Sequence, residues 1–176
     1  MTYPKFFDGI EKIVLQDDLA LALGTFEDGI VEFSYLDVVK SAGHSCPTVS
    51  GAFLCALVGL KALYPDSLPK RGEIKVELPN EITQGVTGVI GAVLANITGA
   101  TTNYGFKGLN GQFARTNLLF YGANIDTNIR FTRIDTNISV ELCYNPSVLN
   151  STKTAWQERV AEIFENIEKV VSVRCC

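Results

Sequence analysis

The sequence is poor in several residue types, and each scarcity narrows the possibilities. It has one histidine, one tryptophan and one methionine in 176 residues, and only 19% of its residues are charged. Lys and Arg number 15 against 19 Asp and Glu, which gives a formal net charge of -4 without any basic cluster. Because a nucleic-acid-binding surface needs concentrated positive charge, we expect no nucleic-acid partner.

Long apolar runs are also missing at the beginning of the chain. Charged residues interrupt the first stretch, at Lys5 and Asp8, so neither a signal peptide nor a membrane span is indicated. We therefore expect a cytoplasmic protein with no membrane partner. The cysteines at 46, 55, 143, 175 and 176 form an odd set without repeated spacing, which favours reduced thiols over a disulfide framework.

The sequence does contain enough hydrophobic residues to form a buried core. Hydrophobic residues make up 47% of the chain, and the mean hydropathy is +0.17. No linker or internal repeat interrupts this pattern. Because 176 residues suffice for one ordinary core, we expect a single domain over residues 1–176.

The first half of the chain predicts a mixture of helices and strands. An amphipathic helix is expected over residues 4–16, a strand over 19–23 forming a hairpin with 30–35, and a short helix over 36–40. A buried helix follows over 48–64, because almost every residue there is apolar or small, and Pro65 ends it. Alternating residues then predict a strand over 73–78, and small apolar residues predict a second buried helix over 87–97.

The second half predicts mainly strands. Segments 117–121, 129–133 and 139–144 suggest an antiparallel meander, followed by a C-terminal amphipathic helix from a capping box at Thr154 to Val170. The vicinal Cys175 and Cys176 are expected in an untethered tail. The fold class is therefore α+β: a mostly antiparallel sheet packed against two buried apolar helices, with amphipathic helices near both termini.

The stretch Gly43-His44-Ser45-Cys46-Pro47 carries the most specific chemistry. It places the only histidine two residues before a cysteine, at the start of the first buried helix. Imidazole nitrogen and thiolate sulfur are ligands that zinc prefers. Because a helix N-terminus lowers the pKa of a cysteine, this position favours either metal binding or nucleophilic attack by Cys46.

These residues resemble the FmdE-like family, which takes its name from one component of formylmethanofuran dehydrogenase and whose signature is Gly-His-x-Cys-Pro opening an apolar helix. A second similar stretch joins Thr98-Gly99-Ala100-Thr101 to a Gly-Phe-Lys-Gly loop at 105–108 and to strands with Phe-x-Arg and Asp-Thr elements. The resemblance covers residues 30–147. It implies an α+β fold, a homodimer and a metal near His44 and Cys46, in a protein that is either associated with an oxidoreductase or accessory.

The chain departs from its apparent relatives in two respects. Many relatives carry a cysteine where this chain has Ala100, and some end in a zinc ribbon that this chain lacks. Two ligands do not complete a zinc shell, so further ligands are sought at Cys143, at Glu77, in a second copy of the chain or, with less weight, at Cys175 and Cys176. Four other residues are candidates to contact a cofactor or an anionic ligand: Lys107, Tyr104, Asn103 and Arg115.

Alternatives remain open at this stage. His44 or Cys46 could be the axial ligand of haem or another tetrapyrrole held between the two small-residue helices. Cys46 could be the nucleophile of a thiol-dependent enzyme with His44 as its base. Both residues could also be structural, with His44 bonded to backbone and Cys46 buried. The sequence leaves enzymatic activity undecided, and Cys55 is expected in the core.

Overall fold

The computed structural model describes residues 2–175 and has the α+β class that the sequence predicts. The helices are α1 (Asp18–Ala22), α2 (Tyr35–Ala42), α3 (Pro47–Leu63), α4 (Thr87–Thr98), α5 (Trp156–Glu165) and α6 (Ile167–Val170). The strands are β1 (Ile13–Gln16), β2 (Ile30–Phe33), β3 (Ile74–Glu77), β4 (Leu119–Phe120), β5 (Ile129–Arg133), β6 (Ser139–Tyr144) and β7 (Val171–Cys175). Short 3₁₀ helices cover Lys5–Gly9 and Pro146–Leu149.

Two sheets organise the described chain. A small antiparallel sheet pairs β1 with β2, and a five-stranded sheet has the order β4-β3-β5-β6-β7. In the larger sheet only β3 and β4 run parallel, with Val76 opposite Leu119. The other pairs are antiparallel, and Phe131 lies opposite both Val76 and Val140. The large sheet is therefore mostly antiparallel, as predicted.

Helix α3 lies at the centre of the core because nearly every one of its residues is apolar or small. Phe53, Leu54 and Leu60 are almost completely buried. The helix packs against β5, β6, β7, α2, α4 and α5. A methyl group on Gly59 would lie 2.8 Å from side-chain atoms of Leu142 and Phe131, so this glycine lets the sheet approach the helix closely. The predicted central helix is confirmed.

The predictions for the N-terminal third are partly wrong. Residues 4–16 form a 3₁₀ helix and then strand β1, because Gly9 interrupts the apolar pattern and Ile13, Val14 and Leu15 suit an alternating strand. The expected strand over 19–23 is helix α1, which begins where the Asp17 carboxylate accepts the backbone N–H groups of the next residues. Strand β2 consequently pairs with β1, and the predicted hairpin is not formed.

The C-terminal half differs from the predicted meander in its connections. Strand β4 is reduced to two residues and pairs with β3, so only β5 and β6 are consecutive antiparallel neighbours as expected. The C-terminal helix begins after Ala155 without a side-chain cap and breaks at Asn166. The predicted tail instead contributes Cys175 to strand β7, beside β6, whereas Cys176 lies outside the described residues.

Helix α4 matches its prediction within one residue. Its N-terminal half includes Gly88 and Gly91, and it packs against both α2 and α3. It has 12 residues. Within residues 2–175, no helix combines the length and apolarity that a membrane crossing requires.

Candidate functional site

The turn between α2 and α3 presents the motif that the sequence singles out. Helix α2 begins with a capping box in which Ser34 and Asp37 bond each other's backbone N–H groups. It ends at Gly43, whose φ of 78° is left-handed and favours glycine. The chain leaves the helix there and exposes His44, before α3 begins at Pro47.

The imidazole of His44 is oriented by the preceding turn. Its Nδ1 atom lies 3.1 Å from the carbonyl oxygen of Ala42. Because a carbonyl oxygen can only accept, Nδ1 carries the hydrogen in this contact. In the neutral ring, the second nitrogen Nε2 then has a free lone pair. Histidines that bind metals commonly donate their other ring N–H to a backbone carbonyl in this way.

His44 borders a groove between α2 and α4 with a volume of about 270 Å³. Valine side chains from both helices form much of its wall, and Gly88 and Ala92 keep it open because they lack bulk. The groove also contains Ser41 and Asn96. The side chains of these two residues make no hydrogen bond within the described chain, so they are available to a bound molecule.

Cys46 lies at the N-cap of α3, half-buried against the core. Its φ of -150° is extended, and its thiol makes no capping hydrogen bond. Burial is the main reason that the pKa of the Tyr35 phenol is raised to about 12; the hydrogen bond with Ser45 lowers this pKa, and the nearby Cys46 makes a smaller contribution that raises it. The pKa of Tyr144 is likewise raised, chiefly by burial and in part by Cys46. Cys46 is therefore close to two phenols that stay protonated at neutral pH.

Ser45 lies between the two candidate ligands and is held by side chains from α2 and α5. Its hydroxyl oxygen lies 2.9 Å from the hydroxyl of Tyr35. Its carbonyl oxygen accepts a hydrogen bond of 3.1 Å from Nε2 of Gln157, which belongs to α5. The segment is thus fixed through its middle residue, while His44 remains exposed. No hydrogen bond joins His44 to Cys46 within the described chain.

The other two predicted metal ligands lie on the sheet. Cys143 follows Leu142, which packs against α3, so the alternation of strand β6 turns the Cys143 side chain to the opposite face. Glu77 follows the buried Val76 in the same way and lies 3.2 Å from the ammonium of Lys75. Both side chains therefore lie on the outer face of the sheet, and the structure does not bring them to His44 and Cys46.

Three of the predicted cofactor-contacting residues lie in an exposed loop. Tyr104 is 68% exposed, and Asn103 and Lys107 are also exposed. Asn103 accepts a hydrogen bond from its neighbour Thr102. These residues line neither the groove beside His44 nor the concave surface between residues 2–4 and α2.

Arg115, the fourth predicted contact, is only 6% exposed and belongs to a charged cluster. Its Nη2 lies 2.6 Å from Oδ1 of Asp17, and Nη1 of Arg71 lies 2.9 Å from Oδ2 of the same carboxylate. Arg71 also donates to the carbonyl oxygens of Asn96 and Ile97 at the end of α4. This cluster, Asp17–Arg71–Arg115, connects three distant parts of the chain.

Sequence reasoning missed this cluster because its members are 54 and 98 positions apart. The only local signal was Asp17 before an apolar segment, which could have been recognised as an N-cap. Burial raises the pKa of Asp17, but the hydrogen bonds from Arg71 and Ala20 and the nearby arginine charges outweigh it, so that the pKa is lowered. Burial lowers the pKa of Arg115, partly offset by Asp17.

The remaining cysteine agrees with its prediction. Cys55 is 1% exposed within α3, and burial raises the pKa of its thiol to about 12, with a smaller contribution from Cys143. Residues 2–175 contain no group of three or more His, Cys, Asp or Glu side chains arranged to hold a metal ion. Comparison of the sequence with protein-family models and with curated proteins gave no match.

Proposed function

We propose that this protein binds a metal ion, zinc in preference, through His44 Nε2 and the Cys46 thiolate. The observation that carries the proposal is the hydrogen bond from His44 Nδ1 to the Ala42 carbonyl oxygen, which fixes the ring and leaves Nε2 free. A mixed nitrogen and sulfur pair suits zinc. The FmdE-like resemblance of the same residues agrees with this assignment.

The local electrostatics favour a cation. His44 follows the C-terminus of α2, where unpaired carbonyl groups give the helix end a partial negative charge. Cys46 lies at the N-cap of α3, and its thiol makes no capping hydrogen bond that a metal would have to displace. The C-terminus of α2 therefore favours a cation beside His44.

The chain supplies half of a four-ligand shell, so the remaining ligands must come from elsewhere. The groove beside His44 is open, and Ser41 and Asn96 offer polar groups to a small molecule that could coordinate the metal. A second copy of the chain is the other source, as the dimer implied by the resemblance suggests. We propose an accessory role in which the metal is shared with a partner or a bound molecule.

The groove gives less support to a tetrapyrrole. Its volume of about 270 Å³ is below the roughly 300–1,000 Å³ typical of pockets for drug-sized ligands. A thiol-dependent enzyme also receives less support, because His44 and Cys46 are not hydrogen-bonded to each other. The metal proposal needs neither a large pocket nor that contact.

The test is zinc binding by the full-length protein after removal of metal with a chelator. Zinc would be titrated in competition with a chromophoric chelator, and bound zinc would be counted by elemental analysis. We expect stoichiometric zinc in the parent protein and at least about a tenfold loss of affinity in His44→Ala and Cys46→Ser. Cys143→Ser is the matched control, because that thiol lies on the outer sheet face and should not matter.

Two outcomes would contradict the proposal. One is the absence of stoichiometric zinc from the parent protein at micromolar concentration. The other is a loss of zinc in Cys143→Ser with retention in both His44→Ala and Cys46→Ser. Circular dichroism of each variant would verify that it is folded.

A further inference from the structure

A second concave surface lies on the opposite side of helix α2 from the His44 groove. It has a volume of about 560 Å³ and includes Leu36, Val39 and Lys40. The His44 groove uses Val38, Ser41 and Ala42 instead. At 100° per residue, these two sets occupy opposite faces of the helix. We call this second concavity the N-terminal pocket, because residues 2–4 and Phe7 complete it.

The walls of the N-terminal pocket are apolar and aromatic. Tyr3 stacks on Phe7 with the ring centroids 5.9 Å apart, and Phe7, which is only 4% exposed, packs edge-on against the fully buried Tyr35 behind it. Leu36 and Val39 add aliphatic surface from α2. This concavity is wide and largely open to solvent, so a ligand there would keep part of its surface exposed. The aromatic walls favour a flat apolar ring.

The polar groups of the pocket define the rest of the ligand. Lys40 is half-exposed, and its ammonium lies 3.6 Å from Asp37, a weak surface pair. Asp37 is already bonded to Ser34 in the capping box of α2. The Lys40 ammonium can therefore turn to an anionic group on a bound molecule.

Gln157 supplies a second polar group. Its Nε2 donates to Ser45, whereas its Oε1 is buried and has no hydrogen-bond partner in the described chain. A buried acceptor without a partner is unfavourable. An N–H group on the ligand would satisfy it if the amide turned its oxygen toward the pocket.

We propose that the N-terminal pocket binds an amphipathic aromatic anion. Its ring would lie against Tyr3, Phe7 and Val39, and its carboxylate or sulfonate would pair with Lys40. This site uses neither His44 nor Cys46 as a ligand contact, although Ser45 between them also borders the pocket.

The test uses two fluorescent dyes that differ by one charged group. 8-Anilinonaphthalene-1-sulfonate has aromatic rings, an N–H donor and a sulfonate, and N-phenyl-1-naphthylamine lacks the sulfonate. Each would be titrated into full-length, metal-free protein while fluorescence is recorded. We expect one molecule of the sulfonate dye to bind per chain. Lys40→Gln should weaken it by about three- to fivefold, the value of a surface ion pair, and should leave the neutral dye unchanged.

Two variants locate the site. Val39→Glu should weaken both dyes, because it places a charge in the apolar wall. Lys61→Gln is the matched control, since Lys61 is also half-exposed, pairs with Glu11 and borders a different cavity. Its affinity for both dyes should equal that of the parent protein.

The proposal is overturned if the parent protein binds neither dye, or if Lys40→Gln leaves the sulfonate dye unaffected. Equal weakening by Lys61→Gln would also overturn it, because the dye would then sense lysine charge in general. Should Val39→Glu fail to fold, the Lys40 and Lys61 pair still decides the question. Zinc binding can fail without changing any of these results.

Discussion

Two polar regions of this protein differ in how deeply they are buried and in how their polar side chains are paired. The Asp17–Arg71–Arg115 cluster is buried, and one carboxylate there binds two guanidinium groups. The turn that carries His44 and Cys46 is held by backbone hydrogen bonds and through the side chain and carbonyl of Ser45, and it leaves the imidazole exposed. The first region uses its polar atoms to hold the fold together. In the second, the Nε2 atom of His44 has no hydrogen-bond partner within the described chain, although Nδ1 is bonded.

The largest effect should follow from removing the charge of Asp17. Asp17→Asn would leave the Arg115 and Arg71 charges without their counterion and weaken the cap of α1. Breaking a buried ion pair from one side typically costs about 3–5 kcal/mol, and urea unfolding would measure it. Glu32→Gln is the control, because its pair with Lys12 is half-exposed and should cost less than about 1 kcal/mol. Equal losses would show that burial of the cluster has no energetic consequence.

The beginning of α3 should also be sensitive, for a steric reason. A methyl group at Gly51 would lie 2.3 Å from a ring carbon of Tyr144, and Tyr144 donates a hydrogen bond of 2.7 Å to the Pro47 carbonyl oxygen. We expect Gly51→Ala to cost about 1–3 kcal/mol through overpacking. Gly9→Ala meets nothing within 4 Å and should be almost neutral in the same thermal or urea unfolding experiment.

Acid should weaken the stabilising contribution of the Asp17–Arg71–Arg115 cluster. The pKa of Asp17 is lowered in the fold, so its stabilising contribution is complete above the ordinary aspartate pKa and is lost as the pH falls through the lowered value. Glu73, Lys70 and Asp18 surround the cluster. We therefore expect the free energy of unfolding to fall below about pH 4. The Asp17→Asn variant should show a shallower decline, and an identical decline would argue against this assignment.

The smallest effect on stability should come from His44. Because the side chain is exposed, His44→Ala should change the free energy of unfolding by less than about 0.5 kcal/mol. The same substitution should strongly reduce zinc affinity. A large loss of stability in metal-free protein would instead indicate a structural role for the Ala42 contact and would erase the contrast with the Asp17–Arg71–Arg115 cluster.

Local sequence patterns predicted the elements that depend on local physics. The apolar helix after Pro47, the short α2 and the alternating strands β3, β5 and β6 all formed as expected. The prediction for the N-terminal region was wrong because residues 19–23 are apolar without a clear period. The Asp17 carboxylate caps this segment and thereby stabilises a helix in place of the predicted strand. Strand β7 was missed because its partner β6 is distant in sequence.

The candidate site was predictable only in part for the same reason. His44 and Cys46 are neighbours in sequence, so their proximity to the start of α3 followed from the motif. Whether Cys143 or Glu77 could join them depended on which face of a strand each occupied, and that is set by the register of the whole sheet. Arg115 looked like a loop charge because no local pattern reveals a partner 98 positions away.

The bond between Gln157 and Ser45 has a consequence for the order of biosynthesis. It joins residues 112 positions apart, so the turn receives this support only when most of the polypeptide has left the ribosome. A nascent chain that ends before α5 would have the contacts of this turn with Ala42 and Tyr35 but would lack the bond from Gln157. Domains generally fold as units during synthesis. We therefore expect the turn to reach its final geometry only after Gln157 has been synthesised and α5 has packed.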